Sequence, residues 1–235
     1  MLRLIIVTIL NNRLNKTGRA VSSRFITVEG GEGAGKTTQL AFMREYLEQA
    51  GCRVVVTREP GGTVLGEEIR TLLLGHHHAG MALTTETLLM FAARAEHLQR
   101  VIRPALAANH WVLCDRFTDA TYAYQGGGRG LSPQQIAILE TWIQGALRPD
   151  LTLVLDVPVV VGLARAKRRS AADRFEQEDL EFFERVRTVY LERASQHPDR
   201  YRIIDANQSI ETVQAEINNV LAEYCRRPGI IDQSL

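Results

Sequence analysis

The sequence contains few of the residues that mark several large classes of protein. Its 235 residues include only three cysteines, Cys52, Cys114 and Cys225. They are far apart and odd in number, so they predict neither a disulfide framework nor a zinc site. They fit a reducing compartment, and we expect a cytoplasmic protein. The net charge is only +1, so no global field favours nucleic acid or an acidic membrane as a partner.

Long hydrophobic runs are also lacking. The most apolar stretch, residues 1–10, contains Arg3 and is too short to cross a bilayer. The polar segment that follows it is a poor cleavage site for a signal peptide. The absence of acidic residues as far as Arg24 leaves a transit peptide as an alternative.

The N-terminal segment is therefore expected to stand apart from the folded protein. We interpret residues 1–20 as a dispensable extension, with Val21 as a candidate start. Residues 21–235 are enough for one sizeable α/β core. No repeat or linker divides them, so they predict a single domain.

Glycine is concentrated in residues 30–37, which read Gly-Gly-Glu-Gly-Ala-Gly-Lys-Thr and match G-x-x-x-x-G-K-[ST]. A β-branched and aromatic run precedes them, and apolar residues at helical spacing follow. A strand, a glycine turn and a helix N-terminus present backbone N–H groups to an anion. The segment predicts a phosphate-binding loop (P-loop) in which Lys36 reaches the β and γ phosphates of ATP and the Thr37 hydroxyl ligates Mg²⁺. The predicted ATP contacts are Gly30, Gly31, Glu32, Gly33, Ala34, Gly35, Lys36, Thr37 and Thr38.

Strand and helix patterns alternate along the rest of the chain. Uninterrupted Val/Ile/Leu-rich runs, typical of parallel strands buried on both faces, predict strands at 24–29, 53–57, 111–115, 151–156 and 201–205. Apolar residues at helical spacing predict helices at 37–50, 64–74, 86–109, 133–146, 158–168, 178–195 and 210–226. The order predicts an α/β protein of the P-loop NTPase fold, with a five-stranded parallel sheet and helices on both faces.

Polar residues cluster where the predicted strands end, which is where ligands bind in open α/β sheets. Asp115 ends one strand and is a candidate Mg²⁺-linked acid, with a helix N-cap as the alternative. Arg58 and Arg116 follow two strands and would face the same crevice. Arginine suits bidentate contact with phosphate, so the pair predicts a second phosphorylated substrate.

A basic cluster lies later in the chain, from Arg165 to Arg174, and residues 170–173 interrupt its helical pattern. Such a charge run is often a solvated helix face. Beside a P-loop, we interpret residues 166–177 as a mobile, arginine-rich lid. Its arginines would stabilise the charge of the transferring phosphoryl group and exclude water.

Six segments together resemble bacterial thymidylate kinase. They are residues 30–38 (GGEGAGKTT), 57–63 (TREPGGT), 91–94 (FAAR), 115–117 (DRF), 123–130 (AYQGGGRG) and 173–178 (DRFEQE). The resemblance covers about residues 24–226. It implies transfer of a phosphoryl group from ATP to dTMP, with Mg²⁺, in a protein that forms a homodimer, through the 86–109 helix and its neighbours.

The resemblance also implies roles for individual residues. Glu32 matches a position near the sugar 3′-hydroxyl of dTMP, and Tyr124 matches the residue whose ring crowds a ribose 2′-hydroxyl. Arg169 and Arg174 place the catalytic arginine in the lid, because the P-loop carries none. The remaining matches hold the dTMP phosphate or base, lie near the thymine ring or carry the Mg²⁺-linked acid: Arg58, Arg94, Arg116, Thr121, Gln125 and Asp115.

One position departs from the family pattern. The residue four before Arg94, where the family commonly stacks an aromatic ring on thymine, is Met90, and Phe91 is three before. Both positions lie on the same side of a helix as Arg94. Either side chain could therefore cover the base. We assign Phe91, because methionine would stack less specifically, with ordinary core packing as the alternative for both.

Two other segments are given plainer interpretations. His76, His77 and His78 are adjacent and point different ways, so they predict a solvated loop and no metal site. Residues 126–130 are glycine-rich but follow no predicted strand, which favours a flexible loop on the substrate side.

Two rival functions remain open. One is a kinase for another nucleotide or nucleoside, and the other is a P-loop ATPase or regulatory switch. Three arginines at the acceptor site favour a nucleoside monophosphate as the acceptor. ATP turnover that depends strictly on an acceptor would distinguish a kinase from a switch.

Overall fold

The computed structural model describes residues 23–75, 80–168 and 174–226. The predicted extension at residues 1–20, the three histidines at 76–78, and residues 169–173 of the lid, which include Arg169, lie outside these residues. Among the helices of the described part, none is both long enough and apolar enough to cross a membrane.

Five parallel strands form one sheet, in the order β2-β3-β1-β4-β5. Their bounds are β1 Phe25–Glu29, β2 Val54–Arg58, β3 Trp111–Asp115, β4 Leu151–Asp156 and β5 Tyr201–Asp205. These agree with the predicted strands to within one residue at each end. The fold class predicted from the sequence is confirmed.

The helices fill the crossovers between the strands. They are α1 Lys36–Gln49, α2 Val64–Leu74, α3 Leu83–His97, α4 Arg103–Ala107, α5 Thr118–Thr121, α6 Pro133–Gln144, α7 Val159–Lys167, α8 Leu180–Gln196 and α9 Ile210–Arg226. Side chains fix several of the helix starts. Thr63 Oγ1 accepts from the Gly66 N–H, and Asp179 Oδ1 accepts from the Phe182 N–H, as N-cap residues do.

Alternate residues of the central strands face opposite sides of the sheet. Ile26 and Val28 pack with α1 and α9 in one cluster, whereas Phe25 packs with residues 98–105 in another. Residues 111–114 of β3 alternate between the same two clusters. Burial on both faces explains why these strands are uninterrupted apolar runs in the sequence.

The predicted single helix at 86–109 was wrong in its detail. The structure has α3 from Leu83, a π-helical turn over Leu98–Ile102, and then the short α4. Pro104 lies at the start of α4. Because proline has no N–H to donate to the preceding turn, the regular α-helical hydrogen bonds are interrupted just before it.

The glycine-rich segment 126–130 was predicted as a flexible loop, and this was wrong for residues 126–128. Residues Tyr122–Gly128 form a π-helical continuation of α5. A Cβ atom on Gly127 would lie 2.6 Å from Val189 Cγ2, and one on Gly128 would overlap the Phe182 ring. The glycines therefore allow this segment to pack closely against α8.

Candidate functional site

The P-loop connects β1 to α1, as predicted. A side chain on Gly33 would collide with the Gly162 carbonyl of α7, and Gly35, at φ 86°, is the N-cap of α1. Lys36 Nζ donates to the carbonyl oxygens of Gly31 (2.8 Å) and Gly30 (3.1 Å). The lysine is thus curled over its own loop, where a polyphosphate would sit.

A cavity of about 300 Å³ opens beside this loop at the carboxyl end of the sheet. It joins the P-loop to the end of β3, to α2 and α3, and to residues 115–125. Most of the predicted site residues line it: Glu32, Gly33, Ala34, Gly35, Lys36, Thr37, Arg58, Arg94, Asp115, Arg116, Thr121, Tyr124 and Gln125. The predicted ATP and dTMP residues therefore surround one continuous space.

Five predicted residues of the described ranges are not among those that line the cavity, and one of them, Arg174, is described separately below. Gly30 and Gly31 border a smaller pocket on the β4 side. Thr38 is exposed on α1. Phe91 is buried with Tyr122 and Ile136.

The assignment of Phe91 to the base is corrected by its neighbour. Met90, and not Phe91, lines the cavity. Successive residues of a helix point about 100° apart, and in α3 this directs Met90 to the cavity and Phe91 to the core. The Phe91 ring instead lies under the guanidinium group of Arg94, whose Cζ is 4.7 Å from the ring centroid.

Glu32, Arg116 and Tyr124 form one hydrogen-bonded group at the P-loop end of the cavity. Arg116 Nη2 donates to Glu32 Oε1 (2.7 Å) and its Nη1 donates to Tyr124 Oη (2.9 Å). Tyr124 Oη donates in turn to Glu32 Oε1 (2.7 Å). Arg116 has a positive φ of 66°, which is uncommon outside glycine. The group fixes the Tyr124 ring and directs Arg116 towards the loop.

Arg94 lies at the other end of the cavity in a buried polar network. Its Nε donates to Glu59 Oε2 (2.7 Å) and its Nη2 to Thr121 Oγ1 (3.0 Å). His97 Nδ1 is 2.9 Å from Glu59 Oε1, and His97 Nε2 is 2.6 Å from Thr57 Oγ1. Arg94 Nη1 is buried and has no hydrogen-bond partner within the part of the chain that the structure describes. A buried donor without a partner is costly, so Nη1 marks a place for an acceptor atom of a ligand.

Arg174 was predicted to be catalytic, but the structure directs it elsewhere. Its Nε donates to the Leu73 carbonyl (2.8 Å) and its Nη2 to Glu86 Oε2 (2.6 Å). The side chain is nearly buried and is not among the residues that line the cavity. Its position fits an anchor for the end of the lid, because both bonds fix it to α2 and α3.

Burial and neighbouring charges shift two ionisable groups near the P-loop. Burial, with the positive charge of Arg116, lowers the pKa of Lys36 to about 8. Burial, with the negative charge of Asp119, raises the pKa of Glu29 to about 8. Glu29 accepts from the Phe117 N–H (2.7 Å) and from Tyr190 Oη (3.0 Å). An arriving polyphosphate would favour the protonated form of both groups.

Thr37 and Asp115 offer a hydroxyl and a carboxylate to the same cavity. Within residues 23–75, 80–168 and 174–226, no group of three or more His, Cys, Asp or Glu side chains could hold a metal ion. Mg²⁺ prefers oxygen ligands and usually keeps several waters, with one or two carboxylates and substrate phosphates. The donor set therefore fits Mg²⁺ held mainly by water and nucleotide.

The sequence predicts no role for several of the residues that line the cavity. Glu59 follows Arg58 at the end of a strand, where ligands of open α/β sheets bind. Its position therefore marks it as a candidate, but the sequence does not show that it pairs with Arg94. Arg70 of α2 donates to the Pro60 carbonyl (2.8 Å) and lines the cavity. Nothing in its sequence context distinguishes it from a solvated helix arginine. Phe175 and Glu176, at the end of the lid, complete the wall.

Comparison with known proteins identifies the family. A family model described as thymidylate kinase matches residues 28–217. The thymidylate kinase of Pseudomonas entomophila (strain L48) is 59% identical over 213 residues, which are 91% of this chain and 99% of that protein. The thymidylate kinase of Ectopseudomonas mendocina (strain ymp) is 61% identical over 205 residues, 86% of this chain and 98% of that protein.

A solved structure agrees with these sequences. The crystal structure of thymidylate kinase from Ehrlichia chaffeensis matches with a TM-score of 0.71 and 35% identity, covering 85% of this chain and 99% of that one. The P-loop and the arginine-lined cavity beside it are therefore found in a protein that matches named kinases along most of its length. The chain belongs to the thymidylate kinase family.

Proposed function

We propose that the cavity transfers the γ-phosphoryl group of ATP to dTMP and so forms dTDP. The observation that carries this proposal is one cavity lined both by the P-loop and by Arg94, whose buried Nη1 has no hydrogen-bond partner among the described residues. One end suits a triphosphate, and the other offers buried polar groups to a second molecule. A kinase requires both substrates in one space, whereas an ATPase switch needs only the first.

The base of dTMP is proposed to meet Arg94, Thr121 and Gln125. Arg94 Nη1 can donate to the O4 atom of thymine. Gln125 lines the cavity, and its Nε2 is bonded to Glu86, so its Oε1 can accept from the N3–H of the base. Met90 and Leu74 add apolar wall to the same cavity.

The phosphate and sugar of dTMP are proposed to lie closer to the P-loop. Arg58, Arg70 and Arg116 all line this space, and guanidinium groups bind phosphate oxygens with good geometry. Tyr124 is held by Glu32 and Arg116, with its ring edge-on to Phe175. A ring held in this way would exclude a ribose 2′-hydroxyl. Glu32, which matches the family's position near the sugar 3′-hydroxyl, would contact that hydroxyl.

Catalysis is proposed to depend on positioning and charge neutralisation, since phosphoryl transfer needs little covalent chemistry from the protein. Lys36 would bind the phosphates of ATP, and Thr37 and Asp115 would hold Mg²⁺, in part through water. When bound, Mg²⁺ neutralises charge on the phosphate oxygens. Lid closure, with Arg169, excludes water and so suppresses hydrolysis of ATP.

The acceptor specificity tests the proposal. ADP formation is measured with MgATP and, in turn, dTMP, dUMP, UMP, dCMP, AMP and thymidine. We expect strong turnover with dTMP, weaker turnover with dUMP and almost none with the others. Turnover of another acceptor in preference to dTMP would move the assignment to a different nucleotide kinase. ATP hydrolysis that ignores every acceptor would favour the switch.

Substitution of the two lid arginines is expected to have two different effects, one on catalysis and one on stability. Arg169→Ala should lower kcat about 10³-fold with little change in Tm, because a lid arginine acts on the transition state. Arg174→Ala should lower the free energy of unfolding by about 3–5 kcal/mol, because it leaves the buried Glu86 without one of its guanidinium partners. Steady-state kinetics and thermal unfolding of both variants, with Arg168→Ala beside them, measure this. An unchanged kcat in Arg169→Ala would remove that residue from the mechanism.

Three broader expectations also stand as proposals. We propose that residues 21–235 form the kinase domain and that residues 1–20 are dispensable, and that the protein is cytoplasmic.

We also propose a homodimer formed through α3 and its neighbours. Apolar side chains that are exposed on α2 and α3, such as Val64, Leu65 and Leu88, support that interface. Sedimentation equilibrium tests it directly, with an expected mass of twice 26.3 kDa.

A further inference from the structure

Glu86 is a fully buried carboxylate near the start of α3, behind the wall of the cavity. Its Oε1 accepts from Gln125 Nε2 (2.9 Å) and from Arg129 Nε (2.8 Å). Its Oε2 accepts from Arg174 Nη2 (2.6 Å). One carboxylate therefore connects the helix under the cavity, the segment that carries Gln125 and the end of the lid.

The contact with Glu86 decides which end of the Gln125 amide faces the cavity. A glutamine amide has a donor end and an acceptor end, and they can exchange places by rotation about χ3. A carboxylate only accepts hydrogen bonds, so it requires the NH₂ end. Because Gln125 lines the cavity and its Nε2 is bonded to Glu86, its Oε1 is the atom left for a ligand. That oxygen has no hydrogen bond to any residue of the ranges that the structure describes.

Arg129 and Arg174 hold the Glu86 carboxylate in the position from which it accepts the Gln125 hydrogen bond. Arg129 and Arg174 bind the two different oxygens of the carboxylate and offset the cost of burying its charge. Arg129 also pairs with Glu178 at 2.9 Å, and its guanidinium lies over the ring of Phe182. The carboxylate is therefore clamped from both sides, and its acceptor face stays directed at Gln125.

We propose that Glu86 is a positioning residue that determines which pyrimidine the enzyme accepts. By holding Gln125 with its oxygen towards the cavity, it selects a base with an N3–H donor, such as thymine. Cytosine presents an N3 lone pair at that position and an amino group in place of O4. The N3 acceptor would face the acceptor Gln125 Oε1, and the amino donor would face the donor Arg94 Nη1, so neither pair could form a hydrogen bond. This inference rests on the proposed function, in which Gln125 meets the base.

The variant Glu86→Gln tests the proposal. An amide at position 86 can donate as well as accept, so it no longer dictates the orientation of Gln125. The quantity measured is the ratio of kcat/KM for dTMP to kcat/KM for dCMP. We expect this ratio to fall about 10- to 100-fold, because a site built to hydrogen-bond one substrate loses its discrimination when that bond is lost. The loss should appear mainly as a higher KM for dTMP.

Glu178→Gln is the matched control. It also removes a carboxylate from Arg129. Within the described part of the chain Glu178 has no hydrogen bond to Gln125, so the ratio should stay at the wild-type value. In a Gln125→Met background, Glu86→Gln should cause no further change in the ratio. A purely structural role for Glu86 would lower turnover of both nucleotides and leave the ratio unaltered.

Glu86→Asp provides a second variant if Glu86→Gln does not fold. It keeps the negative charge for Arg129 and Arg174, but the shorter side chain withdraws from Gln125, and the ratio should again fall. An unchanged ratio in a folded Glu86 variant that still phosphorylates dTMP would overturn the inference and leave the proposed function intact. An equal fall in Glu178→Gln would overturn it too. If the wild-type enzyme does not phosphorylate dTMP, the proposed function itself fails.

Discussion

Replacing Lys36 with methionine should lower kcat by about 10²–10³-fold and leave the Kd for dTMP within about twofold. Nζ is the cation of the P-loop, held over it by the Gly30 and Gly31 carbonyls. Charge aimed at a group that becomes more negative in the transition state contributes about this much to the rate. Methionine keeps the length of the stem. The measurements are single-turnover kinetics for kcat and titration calorimetry for dTMP binding.

Arg44→Met is the matched control for this variant. Arg44 is an exposed cation of the same helix that pairs with Glu48, and its loss should leave kcat within about twofold of wild type. A kcat for Lys36→Met near that of the control would show that the P-loop lysine does not act on the transferring group. A large rise in the Kd for dTMP would place Lys36 in the acceptor site instead.

Stability provides an independent test of the charge on Lys36. The folded state lowers the pKa of this lysine from 10.5 to about 8, so between these values the unfolded chain binds more protons than the folded one. Below pH 8 the buried charge of Lys36 therefore lowers the free energy of unfolding. This destabilisation becomes smaller as the pH rises from about 8 to 10.5. We expect Lys36→Met to be more stable than wild type at pH 7, with the difference in Tm shrinking towards pH 10. A difference independent of pH would contradict the lowered pKa.

Replacing Arg94 with alanine should raise the Kd for dTMP by about 10- to 100-fold and also destabilise the protein. The loss of affinity follows from Nη1, the buried donor that we assign to the base, because hydrogen bonds to charged groups contribute about 1.5–3 kcal/mol. The loss of stability follows from Glu59, a buried carboxylate that would lose its guanidinium partner, at a cost of about 3–5 kcal/mol. Calorimetric titration with dTMP and denaturant unfolding measure the two effects separately.

Arg94→Lys separates recognition from folding. Lysine keeps a positive charge beside Glu59 but cannot reproduce the planar group that reaches Glu59, Thr121 and the cavity at once. It should recover much of the lost stability and little of the lost affinity. Arg100→Lys, at an exposed position six residues further along the chain, should change neither. An unchanged KM for dTMP in both Arg94 variants would remove this residue from the acceptor site.

The strands and the P-loop could be read from the sequence because local chemistry decides them. β1, β3 and β4 are buried on both faces of a parallel sheet, so their sequences are continuous apolar runs that are difficult to mistake. The glycines of the P-loop are required by close backbone contacts, such as that of Gly33 with Gly162. The predictions of helices failed where the hydrogen bonding departs from the α pattern. One continuous helix was predicted across the π-helical turn before Pro104, and no helix was predicted at residues 122–128.

The sequence by itself determined the α/β fold, the P-loop and the polar residues at the strand ends, because these depend on runs and spacings of nearby residues. The residues on the acceptor side of the cavity followed only from the resemblance to the thymidylate kinase family. Only the tertiary structure decided which side chain of each helix meets the cavity and which distant group it binds. It turned Met90 inward and Phe91 into the core. It joined Arg174 to Glu86 across 88 residues and Gln125 to Glu86 across 39. Such pairings depend on how whole helices are rotated and packed, and no local pattern encodes that.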